Sequence, residues 1–270
     1  MKLSDLARAL EGGGLEDAAR EARLLFSYVT GTPPHRLIGD DPACDDPRLS
    51  DLLARRLSRI PLAYLIGEVG FYRETYRVTP DVLIPRPETE LLVEKAIGML
   101  PDHARFLDLC CGSGCVGISV LCNRPRVLCD AVDLSPEAVA LTRENGERNG
   151  VSSRLSVALA DLFALPAAFS GYDAVLSNPP YIARGVIPSL SPEVQAEPHI
   201  ALDGGPDGLA FYREIIRRLP SLLVPGGFCL CEIGYDQGDA IKALAVKGGY
   251  FAEIFPDLAG LSRVALIRKS

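Results

Sequence analysis

The chain has 270 residues, of which 48% are hydrophobic and 23% are charged, and its formal net charge is −7. This length and composition exclude a disordered protein and accommodate one large domain, or a typical domain with a small one. The acidic balance argues against a protein whose main partner is a phosphate backbone, although Arg55, Arg56 and Arg59 could still form a local basic patch.

The cysteines and the N-terminus indicate where the protein works. The eight cysteines follow no metal-binding spacing, so we expect reduced thiols, no metal ion and a cytoplasmic location. The N-terminal run "MKLSDLARAL" lacks the apolar core of a signal peptide, and no run is long enough to span a bilayer. We therefore expect no association with a membrane.

Residues 1–66 are predicted to form a small bundle of three amphipathic helices. Ser4 is the expected N-cap of the first helix, and Gly31 ends the second. Residues 67–84 contain "EVGFYRETYRVTP", whose aromatic and β-branched residues predict a β-hairpin linker. The prolines of "LIPRPETE" then mark the start of a domain over residues 85–270, in which Thr89 can cap the first helix.

From about residue 105 onward, seven apolar strand-like runs alternate with helical stretches such as Pro136 to Arg148. This alternation predicts an α/β domain with a mostly parallel sheet that is covered on both faces. Only "LAGLS" separates the last two strands, so we expect them to form an antiparallel hairpin at one edge.

A glycine-rich turn follows the first strand of this sheet in "FLDLCCGSGCVGISV". Gly112, Gly114 and Gly117 complete a G-x-G-x-x-G pattern, and Asp133 stands about 20 residues beyond, at the tip of the second strand. The pattern favours adenosine binding, without separating NAD from S-adenosylmethionine. The alternatives are a tight strand-to-helix turn and, for Asp133, a local role beside the helix cap Ser135.

Asp108 lies inside the apolar strand just before this turn. A buried carboxylate needs a partner because leaving it unpaired is costly. A cofactor ammonium group would supply that partner, and backbone amides of the turn are an equally good alternative.

The stretch "YDAVLSNPPYI" ends the fourth predicted strand, which we expect to lie beside the first. Ligands bind beyond the carboxyl ends of such strands, so the tetrapeptide should face the glycine turn. The Asn178 side-chain carbonyl and the Pro179 backbone carbonyl could each accept an N–H bond from a planar –NH2 group, and Tyr181 could stack on it. This arrangement suits methyl transfer to an amide or amine nitrogen. The alternative is that the tetrapeptide only forms a rigid turn and has no chemical role.

Five blocks together resemble the protein-(glutamine-N5) methyltransferases that modify peptide chain release factors, the PrmC/HemK family. They are "PLAYLIGEVGFYRETYRVTPDVLIPRPETELLVE", "FLDLCCGSGCVGIS", "AVDLSPEAVALTRENGERNGV", "DAVLSNPPYI" and "EVQAEPHIALDGGPDGLAFYREI". The resemblance implies a Rossmann-like class I S-adenosylmethionine-dependent methyltransferase sheet, with a small N-terminal helical domain that binds the release factor. The implied reaction methylates the glutamine amide of a Gly-Gly-Gln loop.

The resemblance also implies roles for individual residues. Asp133 would bind the cofactor ribose, and Asp161 and Leu162 would flank the adenine. The methionine part of the cofactor would be held by Cys110, Cys111, Gly112, Ser113 and Gly114. The substrate glutamine would be bound by Asn178, Pro179, Pro180 and Tyr181. The expected catalytic residues are Asn178, Pro179 and Tyr181. Asn178 would also contact the cofactor.

This sequence departs from the family pattern at two places. Cys110 and Cys111 occupy the first Gly-x positions of the turn, which requires backbone angles that a residue with a Cβ can adopt. Leu162 stands where some relatives have an aromatic residue.

Four further residues near these motifs have two interpretations each. Arg86 and Glu88 either shape the entrance to the pocket or form an interdomain ion pair. Glu197 and His199 are expected to order a loop over the pocket.

Other functions remain open from the residues alone. One is an amino methyltransferase of another glutamine-containing protein, such as a ribosomal protein, or of nucleic-acid adenine. Another is an NAD-dependent oxidoreductase or a non-catalytic adenosine-binding module.

Overall fold

The computed structural model describes residues 1–269, which form two compact units. The helical unit contains residues 1–68 and 191–196, and the sheet unit contains residues 69–190 and those from 197 onward. Within the described range, no helix combines the length and the apolarity needed to cross a membrane. The boundaries inferred from the sequence, 1–66, 67–84 and 85–270, stay a prediction.

The helical unit packs its helices around leucine side chains. Its helices are α1 (Leu3–Gly12), α2 (Ala18–Thr30), α3 (Pro47–Leu57), α4 (Leu62–Ile66) and α8 (Pro192–Gln195), the last named by its place in the chain. Leu6, Leu10, Leu25 and Leu49 are completely buried between them. Amphipathic helices of this length depend on such packing for their stability.

Ser4 does not cap α1, so that prediction is wrong. The helix begins at Leu3 with Lys2 in the N-cap position. The backbone N–H and the hydroxyl of Ser4 instead donate to Asp41, at 2.7 and 3.0 Å. A distant carboxylate has replaced the local cap. Gly31 does end α2, in a left-handed conformation with φ of 74°.

The three arginines that could have formed a basic patch are paired with carboxylates. Arg55 lies 3.8 Å from Asp51. The buried Arg56 donates to both oxygens of Glu21, at 2.7 and 3.1 Å, and to Glu193 at 3.1 Å. Arg59 shares the same Glu193 oxygen at 3.1 Å. These bonds hold the segment 191–196 within the helical unit.

The sheet unit contains one hairpin and one large sheet. The hairpin strands are β1 (Glu68–Phe71) and β2 (Glu74–Arg77). The large sheet has the order β5-β4-β3-β6-β7-β9-β8. Its strands are β3 (Arg105–Leu109), β4 (Leu128–Asp133), β5 (Leu155–Leu159), β6 (Tyr172–Ser177), β7 (Leu223–Glu232), β8 (Phe251–Pro256) and β9 (Ser262–Arg268).

The first five of these strands run parallel, and β9 runs antiparallel to both β7 and β8. The predicted fold class and the antiparallel edge hairpin are therefore confirmed. The helices of this unit are α5 (Glu90–Met99), α6 (Cys115–Asn123), α7 (Pro136–Arg148), α9 (Ala210–Leu222) and α10 (Gly238–Lys247).

Alternate residues of the central strands enter two separate cores. Phe106, Ala174 and Leu230 belong to one buried cluster, whereas Leu107 and Val175 belong to the other. A period of two along each strand gives the sheet two apolar faces, and both are covered. Cys229 and Cys231 lie on one face and behave as small buried hydrophobes.

Thr89 does not cap α5, contrary to the expectation from the sequence. A short 3-10 helix, Pro87–Thr89, leads directly into α5, so Thr89 has helical backbone angles and its side chain makes no capping bond. The Thr89 hydroxyl instead accepts a hydrogen bond from Asn178, which follows β6.

The buried guanidinium of the helical unit gives a stability prediction. We expect Arg56→Met to lower the free energy of unfolding by about 2 kcal/mol, because it leaves Glu21 and Glu193 uncompensated. Arg8→Met removes an exposed ion pair with Asp5 and should leave stability nearly unchanged. Urea unfolding measures both; equal effects would contradict the role assigned to Arg56.

Candidate active site

A cavity of the sheet unit lies at the carboxyl ends of β3, β4, β5 and β6. Asp108 is the last residue but one of β3, and Asp133 ends β4. Asp161 and Asn178 follow β5 and β6, and all four residues line the cavity. The cavity therefore occupies the position at which parallel α/β sheets bind their ligands. It is lined by all the cofactor-binding residues expected from the sequence except Gly114.

The glycine turn is built from residues with positive φ angles. Cys110 has a φ of 60°, Gly112 of 55° and Gly114 of 81°. The left-handed region costs a residue with a Cβ roughly 1–2 kcal/mol, which the surrounding fold must offset. The turn thus accommodates Cys110, and its thiol, whose pKa is raised well above the ordinary value by burial, stays protonated.

Gly114 and Gly117 serve packing in this turn and the helix after it. A Cβ at Gly114 would lie 2.8 Å from side-chain atoms of Ile118 and Thr142. A Cβ at Gly117 would lie 2.8 Å from the Asp108 carboxylate. Both positions require glycine because neighbouring side chains approach the backbone too closely for a Cβ, and not because these residues line the cavity.

The Asp133 carboxylate holds the glycine turn and faces the cavity. Its two oxygens accept the backbone N–H groups of Gly112, at 2.9 Å, and of Ser135, at 3.0 Å. Burial raises its pKa, and these backbone bonds oppose the shift. The local role that the sequence left open is present, and the group remains available to a ligand in the cavity. Ser135 also caps α7, as predicted.

Asp108 is buried but has a backbone partner. Its Oδ2 accepts the N–H of Gly117 at 2.9 Å, and its side chain lines the cavity. Burial raises the pKa of Asp108 to about 7, and the charge of Asp133 adds to this shift. A cation in the cavity would favour the ionised carboxylate.

The far end of the cavity is apolar and includes aromatic rings that the sequence analysis missed. Leu162 is buried there beside Asp161, whose side chain accepts the N–H of Phe163 at 2.8 Å. Phe163 and Phe211 meet edge to face with their centroids 5.3 Å apart, and both line the cavity with Ile200. Phe163 stands next to two predicted residues, whereas only the tertiary fold brings Phe211 to this place.

The tetrapeptide after β6, residues 178–181, has some side chains at the cavity and others in the protein interior. Asn178 and Pro180 line the cavity, and Pro179 is buried. The Asn178 Nδ2 donates to the Thr89 hydroxyl at 3.2 Å. The Tyr181 hydroxyl donates to Glu232 at 3.2 Å, away from the cavity lining. Burial raises the pKa of Tyr181 above its ordinary value.

The loop around Glu197 is fixed by ionic contacts within the sheet unit. Glu197 accepts the N–H of Ile84 at 3.0 Å and forms an ion pair with Arg86. His199 begins a short 3-10 helix, His199–Ala201, whose last two residues line the cavity. Both partners of the ion pair lie in one unit, so Arg86 reaches the loop rather than the other unit.

The chain matches two family models. The PrmC N-terminal domain model matches residues 3–67, and the Methyltransferase small domain model matches residues 87–190. Release factor glutamine methyltransferase of Cereibacter sphaeroides is 41% identical over 99% of each chain. The chain belongs to the release factor glutamine methyltransferase family. The family's protein from Caulobacter vibrioides is 38% identical, over 95% of this chain and 91% of its own.

Solved structures agree with the fold. A ribosomal protein L11 methylase from Lactobacillus delbrueckii superposes with a TM-score of 0.52 at 19% identity, over 72% of this chain and 84% of its own. At that identity the match concerns the fold alone.

Two glycine-to-alanine substitutions test the packing behind the cavity. Gly117→Ala should lower stability by about 1–3 kcal/mol, because the new methyl group displaces the Asp108 carboxylate. Gly98→Ala, in a helix with open space around it, should raise stability by about 0.5–1 kcal/mol. Thermal unfolding compares them, and a stabilised Gly117→Ala protein would refute the close approach.

Proposed function

We propose that this protein transfers a methyl group from S-adenosyl-L-methionine to the side-chain amide nitrogen, N5, of the glutamine in the Gly-Gly-Gln motif of peptide chain release factors. One observation supports it most: Asn178 turns its Nδ2 toward Thr89 at the wall of the same cavity that the glycine turn lines. Its Oδ1 is then the acceptor left for a substrate –NH2 group.

The lining residues fit S-adenosylmethionine chemically. The Asp108 carboxylate suits an ammonium group, the Asp133 carboxylate suits ribose hydroxyls, and the apolar surface of Leu162 and Phe163 suits adenine. When bound, this cofactor supplies an electrophilic methyl group on a sulfonium. These residue roles are part of the proposal.

The tetrapeptide would prepare the substrate nitrogen for attack. The Asn178 side-chain oxygen and the Pro179 backbone carbonyl accept the two N–H bonds of the glutamine amide and fix its orientation. Both acceptors also favour the positive charge that develops on nitrogen as its lone pair leaves the amide π system. Pro179 and Pro180 keep this bend rigid. Tyr181 would hold the end of this bend through the hydrogen bond from its hydroxyl to Glu232.

The partner and the location belong to the same proposal. The release factor would present its glycine-rich loop to the cavity and contact the helical domain at residues 1–66. No strongly basic surface is expected to bind nucleic acid, since Arg56 and Arg59 are paired with Glu193. We place the protein in the cytoplasm, where release factors act in translation.

A direct transfer assay tests the function. The protein is incubated with a purified release factor and S-adenosylmethionine carrying a labelled methyl group, and the modified residue is located by mass spectrometry. We expect label on the glutamine of the Gly-Gly-Gln loop and none when that glutamine is replaced by alanine. Cofactor binding without any transfer, or transfer to DNA or RNA instead, would overturn the proposal.

Replacing the proposed acceptor should separate catalysis from cofactor binding. We expect Asn178→Ala to lower kcat by roughly 100- to 1,000-fold, the usual cost of removing one preorganised electrostatic contact. Its affinity for S-adenosylmethionine, measured by calorimetry, should stay close to that of the unchanged protein. An equal loss of cofactor binding would instead make Asn178 a structural residue.

The pKa of Asp108 predicts how cofactor binding depends on pH. Affinity should rise as the pH increases through about 7, where the carboxyl ionises. It should fall again above about 8, where an α-amino group loses its proton. Asp108→Asn keeps an oxygen that can accept the N–H of Gly117, but it should weaken cofactor binding roughly 10-fold. It should also remove the acidic limb of the pH profile, which is the loss of cofactor affinity below about pH 7. If the acidic limb persisted in Asp108→Asn, it would belong to Asp133.

A further inference from the structure

The bend formed by residues 178–181 cannot be fastened at its centre. Pro179 and Pro180 have no backbone N–H to donate, and their rings fix φ. The orientation of the bend therefore depends on contacts at its two ends. At the first end, the Asn178 side chain donates to the Thr89 hydroxyl at 3.2 Å.

The second end of the bend, Tyr181, is held through its backbone as well as through its hydroxyl. The Nε2 of Gln237 donates to the Tyr181 carbonyl at 3.0 Å and to the Gly208 carbonyl at 3.2 Å. The Oε1 of the same amide accepts the backbone N–H of Gly234 at 2.9 Å. One side chain thus binds backbone groups from three parts of the chain, all within the sheet unit.

The partners of the Gln237 amide fix its orientation. Its NH2 group has two hydrogens, and the two backbone carbonyl oxygens beside it can only accept. Its Oε1 can only accept, and the backbone N–H beside it can only donate. Turning the amide over would set an oxygen against two carbonyl oxygens and the NH2 group against an N–H group. Backbone groups cannot exchange these roles, so a single orientation is favoured.

Gln237 is itself placed by rigid elements. It directly precedes α10, its backbone N–H donates to the Gly234 carbonyl at 3.0 Å, and its own carbonyl accepts the N–H of Ile241 at 2.9 Å. Gly238, the next residue, is buried, and a Cβ there would lie 3.2 Å from the Ser262 hydroxyl oxygen. The start of α10 therefore packs closely on the sheet and can hold a neighbouring segment precisely.

The loop of residues 202–208 lies directly against the same end of the bend. The backbone N–H of Ile182 donates to the first carbonyl of this loop at 3.0 Å. A Cβ at Gly208 would collide with the Tyr181 carbonyl oxygen. Gln237 therefore joins the bend to the loop at a point where the two backbones touch.

We propose that Gln237 is a positioning residue for methyl transfer: its NH2 group holds the Tyr181 carbonyl and so fixes where the bend presents its acceptors to the glutamine amide. The proposal rests on the function proposed above and adds a residue that does not touch the substrate. Because both prolines have a fixed φ, holding the second end also restricts the Pro179 carbonyl. Gln237 does not line the cavity, so its replacement should leave cofactor affinity unchanged.

Two variants separate the two ends of this amide. They are assayed with saturating release factor and S-adenosylmethionine at about pH 8, where a glutamate is ionised. Gln237→Met has a similar length and loses both the donor and the acceptor. Gln237→Glu keeps an oxygen for the Gly234 N–H and loses only the donor. Both should lower kcat roughly 10- to 100-fold, as expected for a misplaced reacting group. Calorimetry should show unchanged affinity for S-adenosylmethionine, which also reports that each variant is folded.

Two further variants distinguish positioning from a general effect on the loop. Arg184→Met is the matched control, because it removes a 2.8 Å hydrogen bond to Asp203 in the loop and leaves the contacts of Gln237 intact. Its kcat should equal that of the unchanged protein. Gly208→Ala should lower kcat, because the new methyl group displaces the Tyr181 carbonyl. The double variant Gly208→Ala/Gln237→Met should be little slower than the slower single variant, because both changes act on one carbonyl.

The outcomes of this experiment are distinct. Lower kcat in both Gln237 variants, with unchanged cofactor affinity and non-additivity, supports the proposal. Full activity in Gln237→Glu overturns it, because the acceptor for the Gly234 N–H would then account for any loss in Gln237→Met. Additive losses, a loss of cofactor affinity or an equal loss in Arg184→Met would also overturn it, while the proposed function stands. An inactive wild-type protein would remove the proposed function and this inference with it.

Discussion

The parallel pairing of β3 with β6 is the constraint on which the site depends. Leu109 pairs with Ser177, and the Ser177 hydroxyl also donates to the carbonyl of Leu109 at 2.8 Å. Cys110 and Asn178 each follow one of these paired residues. The glycine turn and the tetrapeptide therefore leave the sheet side by side. A shift of one residue in this pairing would turn one of the two motifs away from the cavity.

Two buried carboxylates, Asp108 and Glu232, lie at the carboxyl ends of β3 and β7. Burial raises the pKa of both to about 7. Each costs stability in its ionised form, and the apolar packing of both sheet faces offsets that cost. Such costly groups are concentrated where a protein binds ligands or performs chemistry. Here one lines the cavity, and the other lies behind the residues that do. The first suits a cationic ligand group, and the second accepts the Tyr181 hydroxyl at 3.2 Å.

The chain leaves the sheet unit soon after the tetrapeptide and returns before Glu197. The six residues 191–196 belong to the helical unit, where Glu193 accepts bonds from Arg56 and Arg59. Glu197, next along, is bound within the sheet unit by Ile84 and Arg86. Glu193 inside this segment and Glu197 just after it are thus held by ionic contacts, which have more specific geometry than apolar packing.

The sequence by itself determined the order of strands and helices, the glycine turn and the tetrapeptide, because these depend on local periodicity and on residues with special backbone angles. It also placed Asp133 and Asn178 at strand ends, since strand ends are local features. Only the tertiary structure decided which side chains meet. Ser4 bonds Asp41 instead of capping α1, and Thr89 bonds Asn178 instead of capping α5. Phe211 reaches the site from a distant element. Contacts of this kind depend on register and packing between segments far apart in the chain, about which local residue patterns carry little information.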